Sequence, residues 1–447
     1  MRKFQFPHPL TLLVCCVLFG AALSYVLRAG EYDRRDDPAT GRRVVVPGTY
    51  HEVPSRPVGP FETIVAIPKG LVDAASVVFF VFLVGGAFAV VDQTGALRRG
   101  VDWFVRRMDR RERVAIPVSC IVFAMGGALE NLQEEIIPLV PVLLVLTRRL
   151  GFDALTAVAM SLGAAMLGAS FSPINPFQVG IAQKLAELPL LSGGLYRVGF
   201  AVPALAVWIW GTMRYAARIR TEKSVQDADT GQEPLKLRQL LILLLVLVAF
   251  GLFVFGVLKY GWDFDQMAAV FFVMGIVAGL IGGLGIAGTT EAYVEGFKSM
   301  ASAALLIGFA RAIYVVLDQG KIVDTIVHGI FIPIANLPVA LSALGMMVAH
   351  VIIHFPVPSV SGQAVLTIPI LVPLSDLLGL SRQVTVLAYQ YGAGLCEFLT
   401  PTNGAMMAIL AAAGVRFENW LRFVVPLLFG IFGLGIISVI VAILIRL

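Results

Sequence analysis

The chain has 447 residues, of which 58% are hydrophobic and 14% are charged, and its mean hydropathy is +0.86. Apolar runs of about 18–20 residues recur along the whole length, which excludes an ordinary soluble domain and predicts an all-α polytopic membrane protein. The net charge of +5 comes from basic residues in loops beside these runs, so it does not indicate nucleic-acid binding.

The first apolar span is expected at residues 10–27, after Arg2 and Lys3, which predicts a cytoplasmic N-terminus. A polar loop on the outside and a second span at 74–91 follow. The stretch 98–113 then contains seven arginines, the strongest cytoplasmic signal in the chain.

A re-entrant helical hairpin is predicted at about 114–147, because two short apolar arms enter and leave on this basic side. Its tip carries the candidate site residues Glu130, Asn131, Glu134 and Glu135.

A helix at about 154–186 follows and is broken inside an apolar run by Ser172, Pro173 and Asn175. We interpret 1–213 as an N-terminal repeat, and the hydrophilic stretch 214–238 as a flexible cytoplasmic linker.

The C-terminal repeat is expected to occupy 239–447, with a second hairpin at about 338–376 and a second broken helix at about 381–413. The tip of this hairpin is uncharged and carries Ser359, Ser361, Gly362 and Gln363. The second break consists of Thr400, Pro401, Thr402, Asn403 and Gly404.

Two pairs of matching sequences support the division into two repeats, because the members of each pair are separated by nearly the same number of residues. Asp92-Gln93 returns as Asp318-Gln319, and the first break returns as the second one. The segment after residue 93 is rich in arginine, whereas 320–337 contains a single lysine or arginine, Lys321. Equivalent loops with opposite basic loads predict an inverted-topology repeat, a common construction of secondary transporters, with the C-terminus outside.

A broken helix exposes backbone N–H and C=O groups at membrane depth, where protein or a water-filled cavity must satisfy them. Half-helix N-termini suit a carboxylate, and the carbonyls near Asn175 and Asn403 suit Na⁺ or a proton-linked water. The alternative for each break is a proline kink with asparagine as a helix cap.

Ionisable residues at this depth are costly and indicate function. The tip glutamates could bind a cation, bind a substrate amine or take up a proton; alternatively, the tip reaches water and they are merely solvated. Arg311, inside an apolar span at 300–317, could pair with a substrate carboxylate, with Glu397 or with a tip glutamate. His350 and His354 are interpreted as packed or interfacial, with a proton-linked role as the alternative for His354.

Five segments of the sequence resemble the YfcC family, which is related to four-carbon dicarboxylate carriers and to basic amino-acid antiporters within the ion transporter superfamily. They are 37–50, 82–88, 172–180, 359–373 and 381–407. The resemblance implies a homodimeric elevator whose transport domain contains both hairpins and both broken helices. The acidic first tip departs from the Ser-Asn-Thr tips of superfamily dicarboxylate carriers and favours an amino acid, including a basic one.

The sequence therefore predicts an ion-coupled secondary transporter of a small carboxylate-bearing metabolite, an amino acid or a dicarboxylate, in a bacterial inner membrane. No cofactor is expected apart from Na⁺ or H⁺ as coupling ion, and the protein is not expected to be an enzyme. The alternatives are an uncoupled exchanger or uniporter, and a passive anion channel.

Overall fold

The computed structural model describes residues 8–38, 40–107, 112–219, 236–260 and 262–447. The helices of the first half are α1 (Pro9–Val26), α2 (Pro60–Asp73), α3 (Ala75–Gln93), α4 (Ala96–Arg107), α5 (Glu112–Glu130), α6 (Val140–Arg149), α7 (Ala154–Val158), α8 (Ala164–Ser170), α9 (Ile181–Leu185) and α10 (Gly194–Ile219). Those of the second half are α11 (Leu237–Tyr260), α12 (Phe264–Gly282), α13 (Gly285–Gln319), α14 (Val323–Phe331), α15 (Val339–Ile353), α16 (Val360–Leu377), α17 (Arg382–Cys396), α18 (Gly404–Ala412) and α19 (Phe417–Leu444).

Seven helices in the described ranges are long and apolar enough to cross a membrane, namely α1, α3, α10, α12, α13, α16 and α19. The predicted span at 300–317 is the second half of α13, which has 35 residues. Of the predicted linker, 214–219 continue α10 and 237–238 begin α11, while 220–235 lie outside the described residues. The arginine-rich stretch is helical to Arg107, and 108–111 also lie outside them.

The loop between α1 and α2 corrects the purely helical expectation. It forms two antiparallel ribbons, in which Gly30–Glu31 pairs with His51–Glu52 and Arg34–Asp37 pairs with Arg42–Val45. We call residues 27–59 the β-loop. Its second ribbon packs on α16, so this segment is a folded cap rather than an irregular connection.

The β-loop is also fixed to α14. Arg34 forms a 2.8 Å ion pair with Asp324, whose side chain is almost fully buried. Glu31 accepts a hydrogen bond from Lys321, which holds the pKa of Glu31 below its ordinary value. The rings of Tyr50 and His328 stack with their centroids 3.9 Å apart. These contacts place the loop over the region between α13 and α16.

The helices group into two bundles by their contacts. α3 packs along α12 and α13, and α1 and α2 pack on α13; we call this the first bundle. α5 packs on α8, α15 on α17, and α10 on α19; these helices with their neighbours form the second bundle. The bundles meet mainly where α18 packs on α13, so a site between them can be built from both.

Glycines allow the helices of the second bundle to approach backbone to backbone. A Cβ atom at Gly127 of α5 would overlap the backbone of Ala165, and one at Gly168 of α8 would overlap that of Ala124. In the other half of the chain, Gly392 of α17 lies against the backbone of Met347 in α15. Each predicted hairpin therefore packs its first arm tightly on the helix that precedes a break.

Candidate functional site

A cavity of about 750 Å³ lies between the two bundles. Its wall includes the tips between α5 and α6 and between α15 and α16, the segment that precedes α18, part of α13 and the second ribbon of the β-loop. The predicted site residues that line it are Glu130, Asn131, Glu134, Glu135, Arg311, Ser359, Ser361, Gly362, Glu397, Thr402, Asn403 and Gly404. The structure thus brings the two predicted tips and the second break together at one cavity.

The remaining predicted residues lie behind this wall. They are Ser172, Pro173, Asn175, Thr400, Pro401 and Gln363. The side chains of Ser172, Asn175 and Gln363 hold the first break and the second tip in place, as the following contacts show.

The first break is anchored to the end of α5. Ser172 Oγ donates to the carbonyl of Ala128 at 2.7 Å, and Asn175 Nδ2 donates to the carbonyl of Gly127 at 2.8 Å. Asn175 Oδ1 accepts from the backbone N–H groups of residues 177 and 178, both at 2.9 Å. Asn175 is therefore a helix cap whose amide atoms are all engaged, as the alternative interpretation of this motif expects.

The second break uses its asparagine in a similar way. Asn403 Oδ1 accepts from the backbone N–H of Met406 at 3.0 Å, but Nδ2 donates to Gln133 Oε1 on the first tip at 3.1 Å. Thr402 Oγ1 donates to the carbonyl of Phe355 at the end of α15 at 3.0 Å. The second break is thus linked to both hairpins.

A cluster of carboxylates lines the cavity, in which Glu397 is buried and Glu130, Glu134 and Glu135 are partly buried. Glu397 is 3% exposed and accepts a 2.8 Å hydrogen bond from Gln133 Nε2. Glu135 accepts from the backbone N–H of Gln133 at 3.1 Å. Within the described part of the chain, Glu130, Glu134, Glu135 and Glu397 form no ion pair. A buried carboxylate such as Glu397 that has no basic partner among the described residues requires a proton or a bound cation.

Arginines contribute to the cavity wall outside this cluster. Arg311 pairs with Asp73 of α2, lies over the ring of Tyr314 and is half-exposed, so the predicted pairing with Glu397 or a tip glutamate is wrong. Arg34 is occupied by Asp324, as described above. Arg42 and Arg43 of the β-loop also line the cavity, and the structure shows no ion pair for either residue among those it describes. The cavity therefore carries both signs of charge.

The second tip is shorter than predicted, because α16 already begins at Val360 with Ser359 as its cap. Gln363 points into the protein, where its carboxamide contacts His350 at 3.3 Å and His354 at 3.1 Å. Both histidines are fully buried, which agrees with their interpretation as packed residues. Ser361 and Gly362 face the cavity instead.

Three polar residues around the site were not singled out from the sequence. Gln133 joins the tip to the second break, and Gln178 lines the cavity just after the first break. Arg197 is fully buried and donates only to neutral groups, including Gln390, whose amide in turn donates to the carbonyl of Ser172. Arg197 could have been identified from the sequence, because it is an arginine inside an apolar span. The local sequence gives no such indication for the two glutamines.

Comparison with known proteins gives whole-length matches. The family model described as C4-dicarboxylate anaerobic carrier, DcuC, matches residues 6–444. YfcC of Escherichia coli strain K12, provisionally named a basic amino acid antiporter, is 30% identical over an alignment of 471 positions, gaps included, that covers 94% of this chain and 93% of YfcC. An uncharacterised protein of Haemophilus influenzae is 28% identical over an alignment of 487 positions that covers 96% of this chain and 95% of its own.

Two solved structures of membrane proteins are also similar. The YdaH transporter of Alcanivorax borkumensis matches with a TM-score of 0.44 and 15% identity, over 97% of this chain and 98% of its own. MtrF of Neisseria gonorrhoeae, described as one of a class of antimetabolite efflux pumps, matches with a TM-score of 0.42 and 14% identity, over 98% and 96% of the two chains. The family model spans nearly all of the sequence, and the chain belongs to the C4-dicarboxylate anaerobic carrier family of membrane transporters.

Proposed function

We propose that this protein is an ion-coupled secondary transporter of a small amino acid, with a basic amino acid as the preferred substrate, and that it works by alternating access in a bacterial inner membrane. The observation that carries this proposal is the carboxylate cluster at the cavity, with the buried Glu397 as its innermost member. Glu397 has only a neutral carboxamide as its partner, and Glu134 and Glu135 lie beside it without a basic residue.

The charge of this cluster argues for a cationic group on the substrate. An ammonium or guanidinium group would neutralise the carboxylates, whereas a dianion would be repelled at close range in a medium of low dielectric constant. The name given to the Escherichia coli relative, a basic amino acid antiporter, agrees with this charge.

The same cluster offers a mechanism of coupling. A substrate cation and a coupling ion, H⁺ or Na⁺, that compete for the same carboxylates cannot be bound together, and this competition produces exchange. Asn175 has no free amide atom in this conformation, so the carboxylates and Asn403 are the better candidates for holding the coupling ion.

A dicarboxylate is the second candidate substrate. The family description supports it, and so do Arg42 and Arg43, which line the cavity without an ion pair among the described residues. A dicarboxylate would have to bind towards these arginines and away from Glu397.

The contact pattern supports an inverted repeat and an elevator motion as further parts of the proposal. α5 packs on α8 as α15 packs on α17, and α16 packs on α9 as the turn at Glu134–Leu139 packs on α18. Each predicted re-entrant hairpin thus packs on both broken helices in matching ways. We propose that these elements move as one transport domain against α13, within a homodimer that has a cytoplasmic N-terminus and an external C-terminus.

Uptake into proteoliposomes tests the function. We expect labelled lysine or arginine to accumulate under a pH or Na⁺ gradient and to exchange against internal basic amino acid, with saturation. Dicarboxylates at equal concentration should compete weakly. Glu397→Gln should abolish transport, whereas Glu187→Gln, at an exposed ion pair with Arg382, should retain it.

The alternatives predict different results. Accumulation of dicarboxylates without competition by lysine would replace the proposed substrate. Saturable flux that depends on neither the pH gradient nor the Na⁺ gradient would indicate a uniporter or an uncoupled exchanger. Flux that neither saturates nor depends on a gradient would indicate a passive channel.

A further inference from the structure

Unpaired polar atoms concentrate beside the first break. In the described part of the chain, six buried side-chain nitrogen or oxygen atoms have no hydrogen-bond partner. Half of them belong to two residues at the cavity wall: both amide atoms of Gln178, and Oδ1 of Asn131. An unpaired buried polar group destabilises the protein, so these three atoms are expected to gain partners from a ligand.

Hydrogen bonds connect these two residues through Gly127 and Asn175. The carbonyl of Gly127 accepts from the backbone N–H of Asn131 at 2.9 Å and from Asn175 Nδ2 at 2.8 Å. Asn175 Oδ1 in turn accepts from the backbone N–H of Gln178 at 2.9 Å. Asn131 has a positive φ of 57°, an uncommon conformation for a residue other than glycine. A short hydrogen-bonded chain therefore fixes both backbones at one corner of the cavity.

The local fold does not require a carboxamide at position 178. In each break, the asparagine caps the N–H of the residue three positions later, which is Gln178 in the first break and Met406 in the second. Met406 is also fully buried, so an apolar side chain satisfies the same backbone arrangement. Gln178 thus adds a donor and an acceptor that helix capping does not use.

We infer that Gln178, with Asn131, binds the α-amino and α-carboxylate groups of an amino-acid substrate; this inference rests on the proposed function. Gln178 Oε1 and Asn131 Oδ1 require hydrogen-bond donors, which a substrate ammonium supplies. Gln178 Nε2 requires an acceptor, which a carboxylate supplies. A dicarboxylate dianion offers no donor and leaves both oxygens unpaired.

The arrangement gives the substrate a direction. The α-amino-carboxylate end lies at Gln178, and the cationic end of the side chain reaches the carboxylates at Glu397. Gln178 is fully buried in this conformation, so its amide meets the substrate after a change of rotamer or a small closure of the tips. Gln178 is therefore a specificity-determining residue that distinguishes amino acids from amines and diacids.

Gln178→Met tests the inference, because it installs the residue found at the equivalent position of the second break. Binding is measured on the purified full-length protein with lysine, with cadaverine, which lacks the carboxylate, and with 6-aminohexanoate, which lacks the α-amine. We expect the variant to lose about 10–100-fold in affinity for lysine, as the loss of hydrogen bonds to charged groups implies, and to lose less for cadaverine and for 6-aminohexanoate, because each of these keeps only one of the two groups that Gln178 binds. The melting temperature of the ligand-free variant should equal or exceed that of the wild type.

Several results would overturn the inference. Lysine affinity within twofold of the wild type would show that Gln178 does not contact the substrate. A lower melting temperature of the ligand-free variant would show that its amide has a structural role. If the wild-type protein binds dicarboxylates and no amino acid, the proposed function fails; a matching loss of dicarboxylate affinity in Gln178→Met would then show a contact residue of another chemistry and reject the amino-carboxylate assignment.

Discussion

Gln133 is the residue that connects the predicted elements of the site. Its carboxamide donates to Glu397 and accepts from Asn403, and it is 4% exposed. Replacing it by leucine leaves a carboxylate and an amide unpaired in the protein interior. We expect Gln133→Leu to lower the free energy of unfolding by about 2–5 kcal/mol and to abolish transport, because removal of one partner exposes the full desolvation penalty of the other.

Thermal unfolding in detergent and uptake into proteoliposomes measure these two effects. Glu130→Gln is the matched control, since Glu130 lines the same tip, is partly exposed and has no hydrogen-bond partner among the described residues. It should unfold within a degree or two of the wild type. A Gln133→Leu protein with wild-type stability would show that the bridge between tip and break does not hold the site together.

At the scale of single residues, the sequence identifies those site residues that are polar within an apolar run. Glu134, Glu135 and Asn403 interrupt apolar runs, and each lies at the cavity. Gln133 and Gln178 could not be found in this way, because a glutamine beside a hairpin tip or a helix break does not differ clearly from its neighbours in the sequence. Their importance depends on partners that are distant in the chain, such as residue 397, 264 positions away.

At the scale of elements, the close packing of α5 on α8 decides whether the first break can form. A methyl group at Gly127 would overlap the backbone of Ala165, and neither backbone can yield without moving its helix. The carbonyl of Gly127 also accepts the amide of Asn175. We expect Gly127→Ala to destabilise the protein by about 1–3 kcal/mol and to reduce transport strongly, since overpacking displaces the hairpin from the break.

Gly430→Ala in α19 is the control for this change, because nothing lies within 4 Å of the added methyl group. Its melting temperature should stay the same or rise slightly, since alanine is the better helix former. Both variants are compared by thermal unfolding and by uptake. Equal behaviour of the two would mean that α5 and α8 are not packed as closely as the backbone contacts indicate.

The elements themselves were largely predictable. Hydropathy located the apolar helices, and proline with asparagine located both breaks, where the structure indeed interrupts the helices at 171–175 and 397–403. The β-loop was predicted only as a polar loop, because its ribbon strands have no more than four residues each and carry charged side chains instead of an apolar alternation. The ribbon is recognisable only through its contacts with α14 and α16, which are remote in the sequence.

At the scale of the whole molecule, the proposed motion requires α18 to slide along α13. A Cβ atom at Gly404 would lie 3.2 Å from the Cβ of Ala310, slightly closer than the 3.5–4.5 Å or so that is usual in disulfides. A shift of a few tenths of an ångström therefore allows a disulfide between Gly404→Cys and Ala310→Cys. The background for this experiment replaces Cys15, Cys16, Cys120 and Cys396, which are unpaired in the structure.

We expect oxidation of the double-cysteine variant to stop transport and reduction to restore it, because the cross-link holds the two bundles in a single relative position. Uptake is measured before oxidation, after oxidation and after reduction, with cross-linking followed by mass spectrometry. Each single-cysteine variant should transport equally under all three conditions. Undiminished exchange with a complete cross-link would contradict an elevator motion at this interface, and alternating access would then have to come from the hairpin tips alone.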